Sequence, residues 1–139
     1  MYKKICLITG GTSGLGKDLS IKLSRRGYKL IITGKSKRKL KSLKKKINNN
    51  IHDYHVVNLT NLKNVKKFLK KIKNLKKIDL LINNAGGLIN EKQNIKKSKN
   101  INLNYLSHIY ITEKLIKKIK KSNNQKIIFI SSHAHKNID

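Results

Sequence analysis

Eight residues near the N-terminus, Thr9-Gly10-Gly11-Thr12-Ser13-Gly14-Leu15-Gly16, narrow the folds open to this chain more than any other stretch. Before them, Lys4-Ile5-Cys6-Leu7-Ile8 reads as a strand with apolar side chains on both faces, as a covered parallel sheet demands. Behind them a helix is expected from near Ser13, through Leu15, Leu19, Ile21 and Leu23, to a stop at Gly27. Glycines between a strand and a helix let the backbone turn tightly and approach a pyrophosphate. The helix N-terminus adds free N–H groups and a favourable dipole. The spacing is not GxGxxG, and a plain connecting turn is the alternative.

The strand-then-helix pattern recurs. Leu30-Ile31-Ile32 forms a second strand. Ser36 is placed to cap a helix whose Leu40, Leu43 and Ile47 line one face, with seven Lys from Lys35 to Lys46 turned to water. His55-Val56-Val57 is a third strand, followed by a helical stripe of Leu62, Val65, Phe68, Leu69 and Ile72. Ile78-Asp79-Leu80-Leu81-Ile82 is a fourth strand. A long helix follows from about Ile101 to Lys121, and Lys126-Ile127-Ile128-Phe129-Ile130 is a fifth strand. The fold class expected is α/β, a Rossmann-like doubly wound parallel sheet in one dinucleotide-binding domain, residues 1–139. Phe68 and Phe129 are assigned to its core. Only Ser131 to Asp139 follow the fifth strand, so the sheet is expected to be cut short there with its edge left open.

Charge is the next feature to explain. The chain holds 34 Lys and Arg against 6 Asp and Glu, a formal net charge of +28. Lys supplies 31 of these basic residues, and Lys, Asn and Ile together make up 69 of 139 positions. Those three residue types share adenine- and thymine-rich codons, so codon drift can produce them without selection for a ligand. Base-specific contacts favour Arg, present only at Arg25, Arg26 and Arg38. Nonspecific attraction to DNA, RNA or acidic membrane surfaces is still expected from the field. No run approaches the ~18 apolar residues of a membrane span, and Cys6 is alone, which excludes a disulfide scaffold. Cys6 is read as a small buried hydrophobe, not a reactive thiol. No signal-peptide pattern opens the chain, so the cytoplasm is the default location.

With these elements in place the chain resembles the short-chain dehydrogenase/reductase family. Thr9 and Gly10, Gly14 and Gly16 fit the family's TGxxxGxG motif. Asn83-Asn84-Ala85-Gly86 is similar to its NNAG motif after the fourth strand. Asn104-Tyr105-Leu106-Ser107-His108 resembles the helix that carries its asparagine, and Gln125 to Ser132 resembles the strand that delivers its serine. Ser131-Ser132-His133-Ala134-His135 is loosely similar to retinol-dehydrogenase-type members.

The resemblance implies roles. Thr9, Gly10, Ser13, Gly14, Leu15 and Gly16 would meet a nicotinamide dinucleotide at its pyrophosphate. The family often ends its second strand on an acid that holds the adenine ribose of NAD. Here Gly34-Lys35 has no acid, and Lys35 with Lys37 or Arg38 would pair the 2′-phosphate of NADP. Asn58-Leu59 stands where the family has Asp-Leu and would receive the adenine amino group through the amide carbonyl. Asn83, Asn84, Ala85 and Gly86 would shape the floor under the cofactor. Asn104 would help organise a proton-relay water, and Ser132 would polarise the reacting oxygen of a small carbonyl or alcohol substrate.

Hydride transfer to a carbonyl also needs a proton source. The family takes it from the Tyr of a YxxxK pair beyond the serine. All five tyrosines, Tyr2, Tyr28, Tyr54, Tyr105 and Tyr110, precede Ser132, and the expectation is that none belongs to a YxxxK. His133 or His135 as a substitute is weak, because neighbours on a strand point to opposite faces. No metal site is expected, a set of His133, His135 and Asp139 lacking a scaffold. The implied function is an NADP(H)-dependent oxidoreductase whose catalytic centre is incomplete within these residues. A non-catalytic dinucleotide-binding scaffold and a nonspecific nucleic-acid-binding protein are the alternatives.

Overall fold

In the computed structural model residues 4–47, 52–90 and 98–131 are described. Five strands form one parallel sheet: β1 (Ile5–Ile8), β2 (Lys29–Gly34), β3 (Asp53–Val56), β4 (Leu80–Asn83) and β5 (Lys126–Phe129). Their spatial order is β3-β2-β1-β4-β5. Parallel pairing sets Cys6 opposite both Leu30 and Leu80, and Asn83 opposite Phe129. Between the strands lie α1 (Gly14–Arg25), α2 (Lys37–Ile47) and α3 (Leu62–Lys71). The β4–β5 connection carries α4 (Lys99–Ile101), a π-helical turn (Asn102–Leu106) and α5 (Ser107–Ile119).

Alternation along β1 explains the two layers. Cys6 and Ile8 face one side and pack with Leu23 of α1 and Leu40, Leu43 and Ile47 of α2. Leu7 faces the other and packs with Val65 and Phe68 of α3 and Ile111, Leu115 and Ile119 of α5. Side chains that alternate between faces with period two must be apolar at every position when both faces are covered. Burial pushes the Cys6 thiol up to about 12, so it stays protonated and acts as a hydrophobe.

The punctuation residues behave as their chemistry predicts. Gly27 ends α1 with φ +79°, a left-handed conformation in which it meets no Cβ penalty. The backbone N–H of Lys39 donates to Ser36 Oγ at 3.3 Å, capping α2. The third strand begins two residues and ends one residue earlier than expected: β3 spans Asp53–Val56, and Val57 follows it with its N–H donating to Gly34 O at 3.0 Å. The long helix is also not uniform, because the π turn interrupts it at Asn104.

One core assignment is overturned. Phe68 is buried, but Phe129 is 49% exposed. Its strand is the sheet edge, where Ile128 and Ile130 are also exposed, and no helix among the described residues covers that strand's outer side. No helix among the described residues is long and apolar enough to cross a membrane.

Asp79 ties the sheet together from beneath. Its Oδ2 accepts from the Ile5 N–H at 2.7 Å and its Oδ1 from Lys77 Nζ at 3.1 Å and from the Ser122 hydroxyl. Its own N–H donates to Ile5 O, and its carbonyl accepts from Lys126 N–H. One carboxylate thus joins β1, β4 and the approach to β5.

Candidate functional site

Strand order reverses between β1 and β4, so the two chains leaving their C-terminal ends diverge and leave a crevice. That is where open α/β sheets bind ligands. The crevice here has a volume of about 660 Å³. Its near lip is the glycine turn, its far lip is Asn84-Ala85-Gly86-Gly87, and Gly34, Lys35, Asn58 and Thr60 line one end.

The lips are locked by a reciprocal set of hydrogen bonds. Thr9 Oγ1 accepts from the N–H groups of Asn84 and Ala85 at 3.0 and 3.1 Å. Asn84 Nδ2 returns two bonds, to Thr9 O at 3.0 Å and Gly10 O at 3.2 Å. Gly10 holds φ +64°, and a Cβ there would stand 2.9 Å from Ala85 Cα. Gly16 brings α1 against the turn: a Cβ on it would collide with Gly10 O and Asn84 Nδ2. Both glycines therefore serve close backbone approach.

α1 begins with its amides available. Ser13 is the N-cap in an extended conformation, yet its side chain makes no capping bond, and no acidic residue lies in the first turn. The first-turn N–H groups of a helix have no internal partners, so they favour an anion at this lip. Thr33 Oγ1, which lines the crevice, is buried with no hydrogen-bond partner. A cradle that a side chain would fill, open amides and an unpartnered buried hydroxyl together suit a phosphate-bearing dinucleotide.

Most expected contacts converge. Gly10, Ser13, Gly14, Leu15, Gly16, Lys35, Asn58, Leu59, Asn84, Ala85 and Gly86 all line the crevice. Thr9 lies behind the lining as the lock described above. Arg38 is exposed on the first turn of α2 and is not part of the lining. Asn83 is fully buried, its Nδ2 donating to Thr112 Oγ1 of α5 at 3.0 Å, so it anchors the strand to the helix and does not form the floor. Asn104 sits in the π turn. Its Oδ1 accepts from Gly87 N–H at 2.9 Å and its Nδ2 donates to Gly87 O at 2.9 Å and Asn100 O at 3.0 Å. Ser132, His133, His135 and Asp139 lie outside the described residues.

Four contributors escaped the sequence reading. Ser20, one turn beyond Gly16, donates its hydroxyl to Gly11 O or Gly16 O, at 3.1 and 2.9 Å, and pins the glycine turn to α1. Its signal is a Ser four residues after the last glycine on a helix face that is otherwise buried. His108 of α5 is buried, bonds the Ala85 backbone, and keeps its Nε2 without a partner. Burial holds its imidazole below the ordinary range, with the Ala85 bond opposing. Thr60 and Val57 complete the end of the crevice beside Asn58.

The expectation that no tyrosine carries a YxxxK spacing is wrong. Tyr110 and Lys114 have it, one turn apart on α5. The structure places the pair away from the crevice, in a groove between α3 and α5, with the Lys114 and Lys66 ammonium groups 5.3 and 5.7 Å from the Tyr110 ring centroid. The lysines stack on this ring as cation–π partners.

Comparison with known proteins agrees with this geometry. The short chain dehydrogenase family model matches residues 4–138. Human retinol dehydrogenase 13 is 31% identical over 139 residues, covering 95% of this chain and 42% of that protein. The 3-oxoacyl-[acyl-carrier-protein] reductase FabG of Buchnera aphidicola is 33% identical over 134 residues, covering 94% of this chain and 55% of its own length. The crystal structure of YwfH, an NADPH-dependent reductase of bacilysin biosynthesis, superposes with a TM-score of 0.83 at 20% identity, covering 99% of this chain and 58% of that one. The chain thus spans about half the length of the curated relatives it matches.

Proposed function

The chain belongs to the short-chain dehydrogenase family, and we propose that it binds NADP(H) as the cofactor half of an oxidoreductase acting on carbonyl or alcohol groups. The observation that carries this reading is the locked crevice at the strand-order reversal, with Lys35 at its β2 end and no acid on the adjoining Gly34-Lys35-Ser36-Lys37-Arg38 segment. A carboxylate there would pair a ribose hydroxyl and repel a phosphate, whereas an ammonium does the reverse. The cofactor, when bound, supplies or accepts the hydride.

The chain's own residues bind and orient. The glycine turn and the α1 amides hold the pyrophosphate, Lys35 holds the 2′-phosphate, and Asn84-Ala85-Gly86 supports the ribose beyond. Asn104 fixes the β4 loop to the helix, and Ser132 would polarise the reacting oxygen. No tyrosine follows Ser132 in these residues, and the Tyr110–Lys114 pair lines a different groove. Proton transfer therefore needs a group these 139 residues do not provide. That retinol dehydrogenase 13 and FabG are named for an alcohol and a ketone reaction supports the substrate class.

Titration of NADPH and NADH against the purified chain at fixed salt tests the reading. Tighter binding of NADPH, lost selectively in Lys35→Ala, supports it. Equal affinities, or tighter NADH, overturn the cofactor choice. Arg38→Ala is expected to weaken NADPH less than Lys35→Ala, because Arg38 stands outside the lining.

A further inference from the structure

The groove between α3 and α5 has a volume of about 350 Å³ and shares no residue with the crevice. Its floor is apolar: Leu115 belongs to the core beneath, and Leu69 and the Tyr110 ring pack against that core. Its rim is cationic on both sides. Lys66, Lys70 and Lys73 recur at helical spacing along the α3 side, and Lys114 and Lys118 stand one turn apart on the α5 side. Among the described residues no acid lines the groove. The one carboxylate on either helix, Glu113, pairs with Lys114 at 3.6 Å from outside the lining.

Three of these lysines are held in place. Lys118 Nζ donates to Lys73 O at 2.7 Å and to Leu75 O at 2.6 Å, which closes one end of the groove with a fixed wall. At the other end Lys66 and Lys114 approach one ring from different helices, 5.7 and 5.3 Å from the Tyr110 centroid. Codon drift accounts for the number of lysines but not for two ammonium groups converging over an apolar floor. Like charges so placed repel, and the ring quadrupole offsets only part of the repulsion. An anion between them reverses its sign, and an apolar body joined to that anion covers Leu69 and Leu115. The volume is at the small end of ligand pockets, which suits a small molecule. A strand of nucleic acid needs a free aromatic face for its bases, and here ammonium groups occupy the ring. We propose that the α3–α5 groove binds a small amphipathic anion, an alkyl carboxylate whose head lies between Lys66 and Lys114 and whose chain runs toward Lys118. The site is independent of the cofactor reading above.

The experiment is calorimetric titration of octanoate into the full chain, in one buffer at fixed salt. Inorganic phosphate serves as a head without a body, and octyl glucoside as a body without a charge. Octanoate should bind at one saturable site, more tightly than either. The double substitution Lys66→Gln/Lys114→Gln should weaken it about tenfold, the worth of two exposed charge contacts. The double substitution Lys41→Gln/Lys45→Gln removes the same charge from exposed positions of α2, on the other face of the sheet, and should weaken it less than about twofold. Circular dichroism shows that all three chains are folded. Equal weakening in the two variants would reduce the effect to net charge and overturn the proposal. Phosphate or octyl glucoside binding as tightly as octanoate overturns it as well, because the groove would then use only its rim or only its floor. So does the absence of saturable octanoate binding, including the case in which the chain binds phosphatidylglycerol vesicles instead, which would make the groove a membrane-facing surface.

Discussion

Asn104 and Gly87 face each other as two strands would, the Gly87 N–H donating to Asn104 Oδ1 and Asn104 Nδ2 donating to Gly87 O, each at 2.9 Å. The side chain imitates a backbone unit and pairs with the loop leaving β4. Asn104 makes this pairing from within the π turn, a type of turn that is frequent at functional sites. The pairing makes Asn104 a positioning residue for the far lip of the crevice as well as a candidate near the reacting centre.

Replacing Asn104 by Ala removes both bonds and the third to Asn100 O. The expected loss is about 1–2 kcal/mol of stability, since the group is exposed and water replaces part of what is lost. NADPH affinity should fall with it, because Gly87 loses its anchor to the helix and, on that side, only His108 among the described residues still holds the far lip, at Ala85. Urea unfolding and a cofactor titration on the same preparation check both. Unchanged affinity alongside lower stability would show that the far lip holds itself.

The buried Asp79 carboxylate accepts three hydrogen bonds. Burial raises its pKa, but the hydrogen bonds from Ser122, the Ile5 N–H and Lys77 outweigh that, and the net shift is downward. A depressed carboxylate stabilises the fold above its unfolded value of 3.8, and that contribution is lost as the pH falls through the folded value. Asp79→Ala should cost about 3 kcal/mol, because three donors lose their acceptor in a buried place. Lys77→Ala should cost less than about 1 kcal/mol, its ammonium being partly in water. Denaturant melts of the two variants at neutral pH, and of the parent chain between pH 5 and 2, test the order and the acid limb.

Much of the fold was legible because each strand and helix announces itself by period. Leu40, Leu43 and Ile47 lie three and four apart, and all three are buried. Cys6, Leu7 and Ile8 are apolar in succession, and both faces of their strand are covered. The glycine turn was readable as one lip because four of the chain's eight glycines fall in it, and Asn84 as the other because Asn83-Asn84-Ala85-Gly86 follows an apolar strand. What was not legible depends on partners remote in sequence. Asp79 looks like an interruption in an apolar run until Ser122 and Ile5 are brought to it. Phe129 has the composition of a core residue, and the open edge expected for its strand did not by itself show that its ring would be half exposed. Asn83 and Asn84 are identical neighbours, yet alternation sends one to Thr112 and the other to Gly10.

A buried and a half-buried imidazole predict a second pH dependence, nearer neutrality. His108 and His55 are both held below the ordinary value of 6.5, burial being the first cause in each. For His108 the Ala85 bond opposes; for His55, Asp53 opposes and Lys71 adds to the depression. The unfolded chain then binds more protons than the folded one below pH 6.5, so stability is full above that value and declines as the pH falls toward the folded values. His108→Gln keeps an N–H for the Ala85 carbonyl but does not titrate, and it should flatten part of that decline while leaving stability at pH 8 nearly unchanged. A stability profile between pH 5 and 8 for both chains decides it; parallel profiles would assign the dependence to His55 or elsewhere.

The last prediction concerns turnover by the 139-residue chain itself. Orientation and proton transfer are separate requirements, and a mispositioned substrate alone can cost about 10²-fold. Here the crevice supplies cofactor orientation, but no tyrosine follows Ser132 to act as the acid. The Tyr110–Lys114 pair has the right spacing in the wrong place: its ring lies in the α3–α5 groove between two ammonium groups. The chain should therefore bind NADPH yet reduce aldehydes and ketones no faster than a cofactor-only control. The assay is NADPH oxidation across a broad carbonyl panel with mass-verified protein, run beside Ser132→Ala and Tyr110→Phe. Neither variant should change a background rate. Robust turnover that Ser132→Ala abolishes would show a complete centre within these residues, and robust turnover lost in Tyr110→Phe would move the acid to α5. Activity that appears only when a segment containing a second Tyr-x-x-x-Lys is joined after Asp139 would identify proton transfer as the missing function.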